Sequence, residues 1–502
     1  MTSSDAYKEL LKRIEDILLL VSASAQLGWD LETYMPPKGI ELRSRQLALL
    51  STLSHEQIID PENGKLIKAI KENPEFSKSP PLMRRNVHLF ERRYTLETCR
   101  PKELVAQLAK QRAITYMAWK TAKKESNYAL FKPEFAKMVD LVKENAEALD
   151  STKEPFECLM DAFYEPGMTC ARLDLWFEHL KKALIPLIEQ CISSPHQPNI
   201  AMLHRKCPIE TQREISEDIA RIVGYDFEAG RIDETEHPFT TGFSGDVRIT
   251  TKYEANFAAS FFTVLHESGH GIYEQSIREE YALQPVSYLT STGLHESQSL
   301  FLENFIGRSQ EFWRFYLPQL KHHTGSLFED VNLERMYSAV NQVALTPIRV
   351  MADELTYAFH IIIRYELERD LLADKIDLDD LPGVWNEKIS QYLKIDIQND
   401  AEGVLQDVHW SQGMFGYFPS YELGYIYAAQ LLAAIAKDIP DYKSQLTQGS
   451  FTALNQWLNE KIRRHGDMYN ADELIERATG EKLTVDYLIN YLTQKYTDLY
   501  QL

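Results

Sequence analysis

The sequence predicts a mainly α fold with one short β element, on three observations. Apolar residues recur at helical spacing through most of the chain. Only one run alternates clearly with a period of two. No Gly/Ser-rich linker, low-complexity tract or internal repeat divides the chain. In order, 5–27, 102–125, 133–149, 172–192 and 209–223 read as helices of the first half. The strand is Asp246-Val-Arg-Ile-Thr-Thr-Lys-Tyr253, where Val247 and Ile249 alternate with Arg248 and Thr250. It follows Gly242 and Gly245. A short exposed strand here offers backbone hydrogen bonds to an extended peptide; the alternative is an ordinary edge hairpin. A helix over 254–278 comes next, because Phe257–Leu265 is apolar and free of breakers. Helices over 294–317, 332–370, 383–398, 421–436 and 451–462 complete the pattern.

The helix over 254–278 contains His266-Glu-Ser-Gly-His270. Residues i and i+4 share a helix face, so His266 and His270 can offer two imidazole nitrogens to one ion. Glu267 then lies beside the open position, where a carboxylate can take a proton from water. The alternative is a buried helix whose histidines bond to core groups. Gly269 and Gly271 cost helix stability, roughly 0.5–1 kcal/mol each relative to alanine. A close approach by another backbone or a ligand would account for them.

A catalytic zinc site usually has three protein ligands. Tyr273 and Ser276 exclude the continuation that supplies a third histidine. Among nearby glutamates, Glu274 is too close to His270 to come from a separate helix. Glu279 and Glu280 belong to a charged, solvated helix end. Glu296 lies in Ser291-Thr-Gly-Leu-His-Glu-Ser-Gln298, a helix start that Ser291 or Thr292 can cap. It sits amid an apolar pattern and needs a partner if buried, which a metal supplies. Glu303, one heptad later, reads as a partner behind the ligands or as a solvated residue.

The chain has 502 residues, 44% hydrophobic and 25% charged, enough for a large core. The expectation is one domain over 1–502, with a helical half to about 235 and a metal-site half from about 236. The net charge of −20, without a basic run, argues against nucleic acid and anionic membranes as partners. Five cysteines without CxxC spacing read as free thiols in a reducing compartment. The start is not expected to be a signal peptide, and a soluble cytoplasmic protein is expected. Trp29-Asp30, His55 and His322-His323 read as scattered surface or core residues. No GxGxxG, Walker or GxSxG motif is present.

Together these residues resemble the carboxypeptidase Taq family of zinc metallocarboxypeptidases, over most of the chain. The matching segments are Gly28-Trp-Asp-Leu-Glu-Thr-Tyr-Met-Pro-Pro37, His237-Pro-Phe239, Asp246-Val-Arg-Ile-Thr250, His266-Glu-Ser-Gly-His270, His295-Glu-Ser-Gln298, Ile348-Arg-Val-Met-Ala-Asp353 and Gly403-Val-Leu-Gln-Asp-Val-His-Trp410. The resemblance implies a large helical, groove-shaped metallopeptidase fold, usually a homodimer. It implies release of single residues from peptides with a free C-terminus, with broad specificity and poor cleavage before proline. It implies one zinc ion per chain on His266, His270 and Glu296, with cobalt able to serve, and Glu267 as the catalytic carboxylate.

Peptide hydrolysis also needs a donor for the developing oxyanion. His409 and Tyr421 are the candidates; the alternatives are a core histidine held by Asp407 or Gln406, and an ordinary tyrosine. A terminal carboxylate is read best by a guanidinium. Arg349 and Arg248, the latter with Asp246, are the candidates for substrate binding. Either arginine can instead form an internal pair, Arg349 with Asp353 and Arg248 with Asp246. A helical oligopeptidase cutting internal bonds and a metal-stabilised peptide-binding scaffold are the competing readings.

Overall fold

A computed structural model describes residues 3–243 and 245–502. The fold is mainly α with one small sheet, as the periodicities predict. Several expected helices appear nearly as read, among them Lys102–Glu125, Ile209–Val223 and Phe257–Ser276. Two long ones are broken. The span 294–317 divides into Thr292–Leu300, a π-helical turn Phe301–Ile306, and Gln310–Thr324. Ser309 starts the last by accepting from the Phe312 amide at 3.2 Å. The span 332–370 divides into Leu333–Val340 and Tyr357–Leu372, with an irregular stretch and one 3₁₀ turn between. Pro347 bars a helix there. The Asp353 carboxylate takes over the stretch, accepting from the amides of Ala344, Leu355 and Thr356 at 3.0, 2.9 and 3.1 Å. Arg349 therefore stands on a turn rather than mid-helix.

The sheet has three strands, β1 (Ile232–Glu234), β2 (Thr240–Phe243) and β3 (Asp246–Thr251), in the order β1-β3-β2. β1 runs parallel to β3, with Ile232 opposite Ile249. β2 runs antiparallel, with Thr240 opposite Ile249 and Phe243 opposite Asp246. This corrects the expectation of an exposed β3: it is the central strand, and its edges are taken on both sides. Val247 and Ile249 are fully buried, and Ile249 faces the helix Phe257–Ser276, called the metal helix below.

The main apolar core draws on residues from Leu104 to Tyr500, while a second cluster packs Ala6 to Phe90. Among the described residues no helix is long and apolar enough to cross a membrane, and none of the five cysteines forms a disulfide.

Candidate metal centre

Asn256 opens the metal helix by accepting from the Ala259 amide at 3.4 Å. The helix Thr292–Leu300 opens on Ser291, which accepts from the Leu294 amide at 3.0 Å. The buried Glu165 carboxylate takes the Gly293 amide at 2.5 Å. These two helices meet at Gly269. A Cβ there would stand 2.2 Å from the Gln298 carbonyl oxygen and 2.5 Å from Ser299 Cα. Only glycine permits that approach, and this backbone contact is one of the two causes anticipated from the sequence. Gly271 likewise makes room for Tyr225 and Ile249. A third helix, Pro419–Asp438, yields space at Gly424, where a Cβ would lie 2.8 Å from Glu296 Cγ. Glu296 is thereby held against the two histidines.

His266 Nε2 stands 3.7 Å from Glu296 Oε1, and His270 Nε2 stands 3.6 Å from Glu296 Oε2. The donor atoms of His266, His270 and Glu296 all lie within 4.8 Å of one another. Tetrahedral zinc with bonds near 2.1 Å requires donors roughly 3.4 Å apart. Two imidazoles and one carboxylate in this arrangement fit such an ion. Glu303 hydrogen-bonds to His266 Nδ1 at 2.9 Å, and it pairs with Arg308 at 3.3 Å. Glu303 thus stands behind His266 rather than among the donors, where it fixes the ring.

The charges support the same reading. Burial works to lower the His266 pKa, but Glu296 and Glu303 reverse this and carry it up to about 10. Burial, with His295 and His266 nearby, holds His270 well below its ordinary value. Burial raises Glu296, and it raises Glu267. A site of buried carboxylates that retains a proton on one imidazole favours a cation in its place. Glu267 is buried, and the Thr240 hydroxyl of β2 donates to its Oε2 at 2.6 Å.

A second wall carries the other candidates. Tyr421 is on the helix that seats Glu296, and its hydroxyl is 3.3 Å from His409 Nε2. Among the described residues neither Asp407 nor Gln406 holds His409, and its Nδ1 is buried without a partner. Burial, reinforced by Arg349 and Arg364, lowers His409 to about 4 despite Asp407, so it is neutral at pH 7. Burial holds Tyr421 well above its ordinary value, so it keeps its proton. Tyr357, Tyr417 and Tyr421 all feel the charge of Glu296.

Arg349 is buried and belongs to this wall. Its Nε donates to Asp407 Oδ1 at 3.0 Å and its Nη1 to the Tyr357 hydroxyl at 2.8 Å. The pair with Asp353 does not form, because Asp353 is occupied by backbone amides. Arg248 makes the internal pair: Nε and Nη2 both donate to Asp246 at 2.8 Å. Its guanidinium stacks 4.3 Å over Trp29 of the first helix, Ser3–Glu32, while Gln26 donates to Asp246 at 2.8 Å. Arg248 and Asp246 thus brace β3 against the first helix.

Sequence reasoning missed Thr240, Tyr357 and Arg364 altogether. It quoted Asp407 without its role as the clamp between Arg349 and Arg364, whose Nε donates to Asp407 Oδ2 at 2.6 Å. The motif Gln406-Asp-Val-His409 held the signal: an acid next to a proposed buried site needs cations nearby.

Comparison with known proteins gives a consistent result. A family model described as carboxypeptidase Taq (M32) metallopeptidase matches residues 7–496. The chain is 40% identical to carboxypeptidase 1 of Bacillus subtilis (strain 168) over 507 residues, covering 100% of this chain and 99% of that protein. It is 37% identical to thermostable carboxypeptidase 1 of Thermus thermophilus, covering 100% of each. The crystal structure of the M32 carboxypeptidase from Deinococcus radiodurans R1 superposes with a TM-score of 0.96 at 34% identity, covering 99% of this chain and 100% of that one.

Proposed function

The chain belongs to the carboxypeptidase Taq (M32) metallopeptidase family and is a metallocarboxypeptidase, and from this premise we propose that it is a zinc enzyme in which His266, His270 and Glu296 hold one ion, with cobalt able to replace it. The observation that carries this reading is the convergence of those three donors with a buried Glu267 held by Thr240. An ion bound there would supply Lewis acidity toward a peptide carbonyl and would make a water molecule more acidic. Glu267, buried and held by Thr240, is placed to accept a proton from the attacking water and to return it to the leaving amine. Burial favours its accepting the proton, and the Thr240 hydroxyl aims the carboxylate. Neutral His409 and protonated Tyr421 supply N–H and O–H donors for the oxyanion. Arg349, anchored through Nε and Nη1, presents Nη2 and the fork edge to the C-terminal carboxylate. Arg248 and Asp246 serve substrate binding from further away, by fixing the strand beside the peptide.

Within this reading specificity is broad, cleavage before proline is poor, and residues 1–502 act as one domain in the cytoplasm. The five cysteines without CxxC spacing support a reducing compartment; cell fractionation tests it. A homodimer is supported by an exposed apolar stripe on the helix Ile40–Ile58, where Leu42, Leu49 and Leu53 share one face. The activity is tested by mass spectrometry of an N-blocked peptide, followed in time. Stepwise loss from the C-terminus, stopping at proline, is expected; internal fragments would instead mark an endopeptidase, and no cleavage at all a binding scaffold.

A further inference from the structure

A cavity beside the second half of the metal helix takes no part in the steps above. It measures about 150 Å³, and its lining includes Gly242 and Phe243 of β2, Glu274 and Ile277 at the end of the metal helix, and Leu283 and Tyr288 of the following segment. β2 reaches it directly from Thr240, which holds Glu267. Glu274 follows His270 by one turn on the same face. His295 joins them: its ring stacks on His270 at 4.0 Å, and its Nε2 lies 3.2 Å from Glu274 Oε1. β2 and the metal helix thus border both Glu267 and the cavity.

Arg349 lies on the Glu296 side of the site: Glu296 feels its charge, and its guanidinium stands 4.9 Å over the Tyr421 ring. Tyr425 feels the charges of Glu303 and Arg308, and its ring is 5.7 Å from Tyr357, which accepts from Arg349. For this cavity to receive an upstream side chain, a peptide held at Arg349 must run past His270 toward Glu274, the direction in which β2 and the metal helix lie side by side.

The lining has a definite chemistry. Phe243, Ile277, Leu283 and the Tyr288 ring make apolar walls. The Glu274 side chain is 14% exposed, and its Oε1 is the atom that faces His295. An apolar cavity of roughly 150 Å³ holds a benzene, so the walls suit an aliphatic stem. A shielded carboxylate at the end gains from a cation and repels an anion.

We propose that this cavity is a subsite for a lysine or arginine side chain one to three residues upstream of the C-terminal residue, with Glu274 pairing its cation. The proposal rests on the carboxypeptidase reading and adds a substrate class to it. The test uses N-blocked peptides with Lys, Leu or Glu at each of the three positions before a fixed C-terminal residue. For the metal-loaded parent, Glu274→Gln and Leu283→Phe proteins, kcat/KM is measured with every peptide. Peptide Kd is measured in the same set on a Glu267→Gln background. At one position Lys should exceed Leu by about ten- to hundredfold, the range of a charge-assisted hydrogen bond, and Glu should fall below Leu. The Lys-to-Leu ratio should drop to near unity in Glu274→Gln, and it should fall in Leu283→Phe, which narrows the cavity. Each quantity is a ratio within one protein, so a general loss of activity cancels. Absence of a Lys preference at every position, a preference for Leu, or a Lys preference that survives Glu274→Gln would overturn the proposal. If the parent releases no terminal residue from any peptide, the carboxypeptidase reading fails instead, and the Kd ratios decide the subsite by themselves.

Discussion

Asp407→Asn should be among the most damaging conservative changes in this protein. The carboxylate stands between two buried guanidiniums, receiving Arg349 Nε at 3.0 Å and Arg364 Nε at 2.6 Å. Arg349 is 7% exposed and Arg364 fully buried, so water cannot replace the lost charge. Removing one partner of a buried ion pair costs about 3–5 kcal/mol, because the other charge is left without compensation. Here two cations share one anion, while the asparagine oxygen keeps one weak acceptor. A loss of about 3 kcal/mol is therefore expected, or roughly two orders of magnitude in the unfolding constant. The sign of the pH dependence follows. Burial alone would raise the Asp407 pKa, but Arg364 and Arg349 hold it well below the usual carboxylate range. A group whose folded pKa is depressed contributes stability above its unfolded pKa, about 3.9, and loses it as pH falls toward the folded value. The gap between parent and variant should thus be full at pH 7 and shrink below about pH 4. Urea denaturation of the metal-free proteins at several pH values measures it. A gap under about 1 kcal/mol at pH 7, or one that widens in acid, would refute the clamp. Adding Arg364→Met to Asp407→Asn removes one orphaned cation and should recover part of the loss.

Three further outcomes are expected. Thr240→Val removes the donor to Glu267, whose pKa burial already raises; the acid limb of kcat/KM should move about one to two units to higher pH, and an unmoved limb would remove Thr240 from the account. Arg349→Ala should abolish the preference for free-acid over amide peptides, whereas Arg248→Ala should keep that preference and lower stability through the strand; the reverse result would mean the wrong arginine was assigned. Leu49→Asp, on the exposed stripe, should convert a dimer to a monomer in light scattering, and a parent that is already monomeric would exclude the homodimer.

Legibility differed by element for physical reasons. The metal helix was readable because one short segment carries two ligands, a base and an apolar run, all local in sequence. Glu296 was readable because a charged residue in an apolar pattern needs a partner. Helices such as Pro61–Lys71 and Pro81–Thr98 were missed although each opens with proline in its first turn; at Asp60-Pro61 the Asp60 side chain caps by accepting from the Glu62 amide at 2.9 Å. Pro61–Lys71 packs Leu66, Ile67 and Ile70 into the smaller N-terminal cluster, and Pro81–Thr98 divides its apolar residues between that cluster, through Val87 and Phe90, and a separate one, through Leu82 and Leu89. The break at 341–356 was also missed. Its signal was Pro347, outweighed by helical patterning on both sides. The placing of β3 between two strands was not legible, because β1 and β2 are three and four residues long and pair across loops. Thr240, Tyr357 and Arg364 could not be found from sequence at all. A threonine, a tyrosine and an arginine acquire their roles only when distant segments meet.

The central claim is that one ion on His266, His270 and Glu296 is what makes Glu267 a working base. Zinc titration of the metal-stripped protein tests it most directly, with bound zinc per chain and release of the C-terminal residue measured on the same samples. Both should rise together and saturate at one zinc per chain. Glu296→Ala should fail in both, and Glu267→Gln should bind zinc while kcat falls by about 10²–10⁴. Full activity in the stripped protein, or a zinc-loaded Glu267→Gln enzyme that turns over normally, would contradict the account.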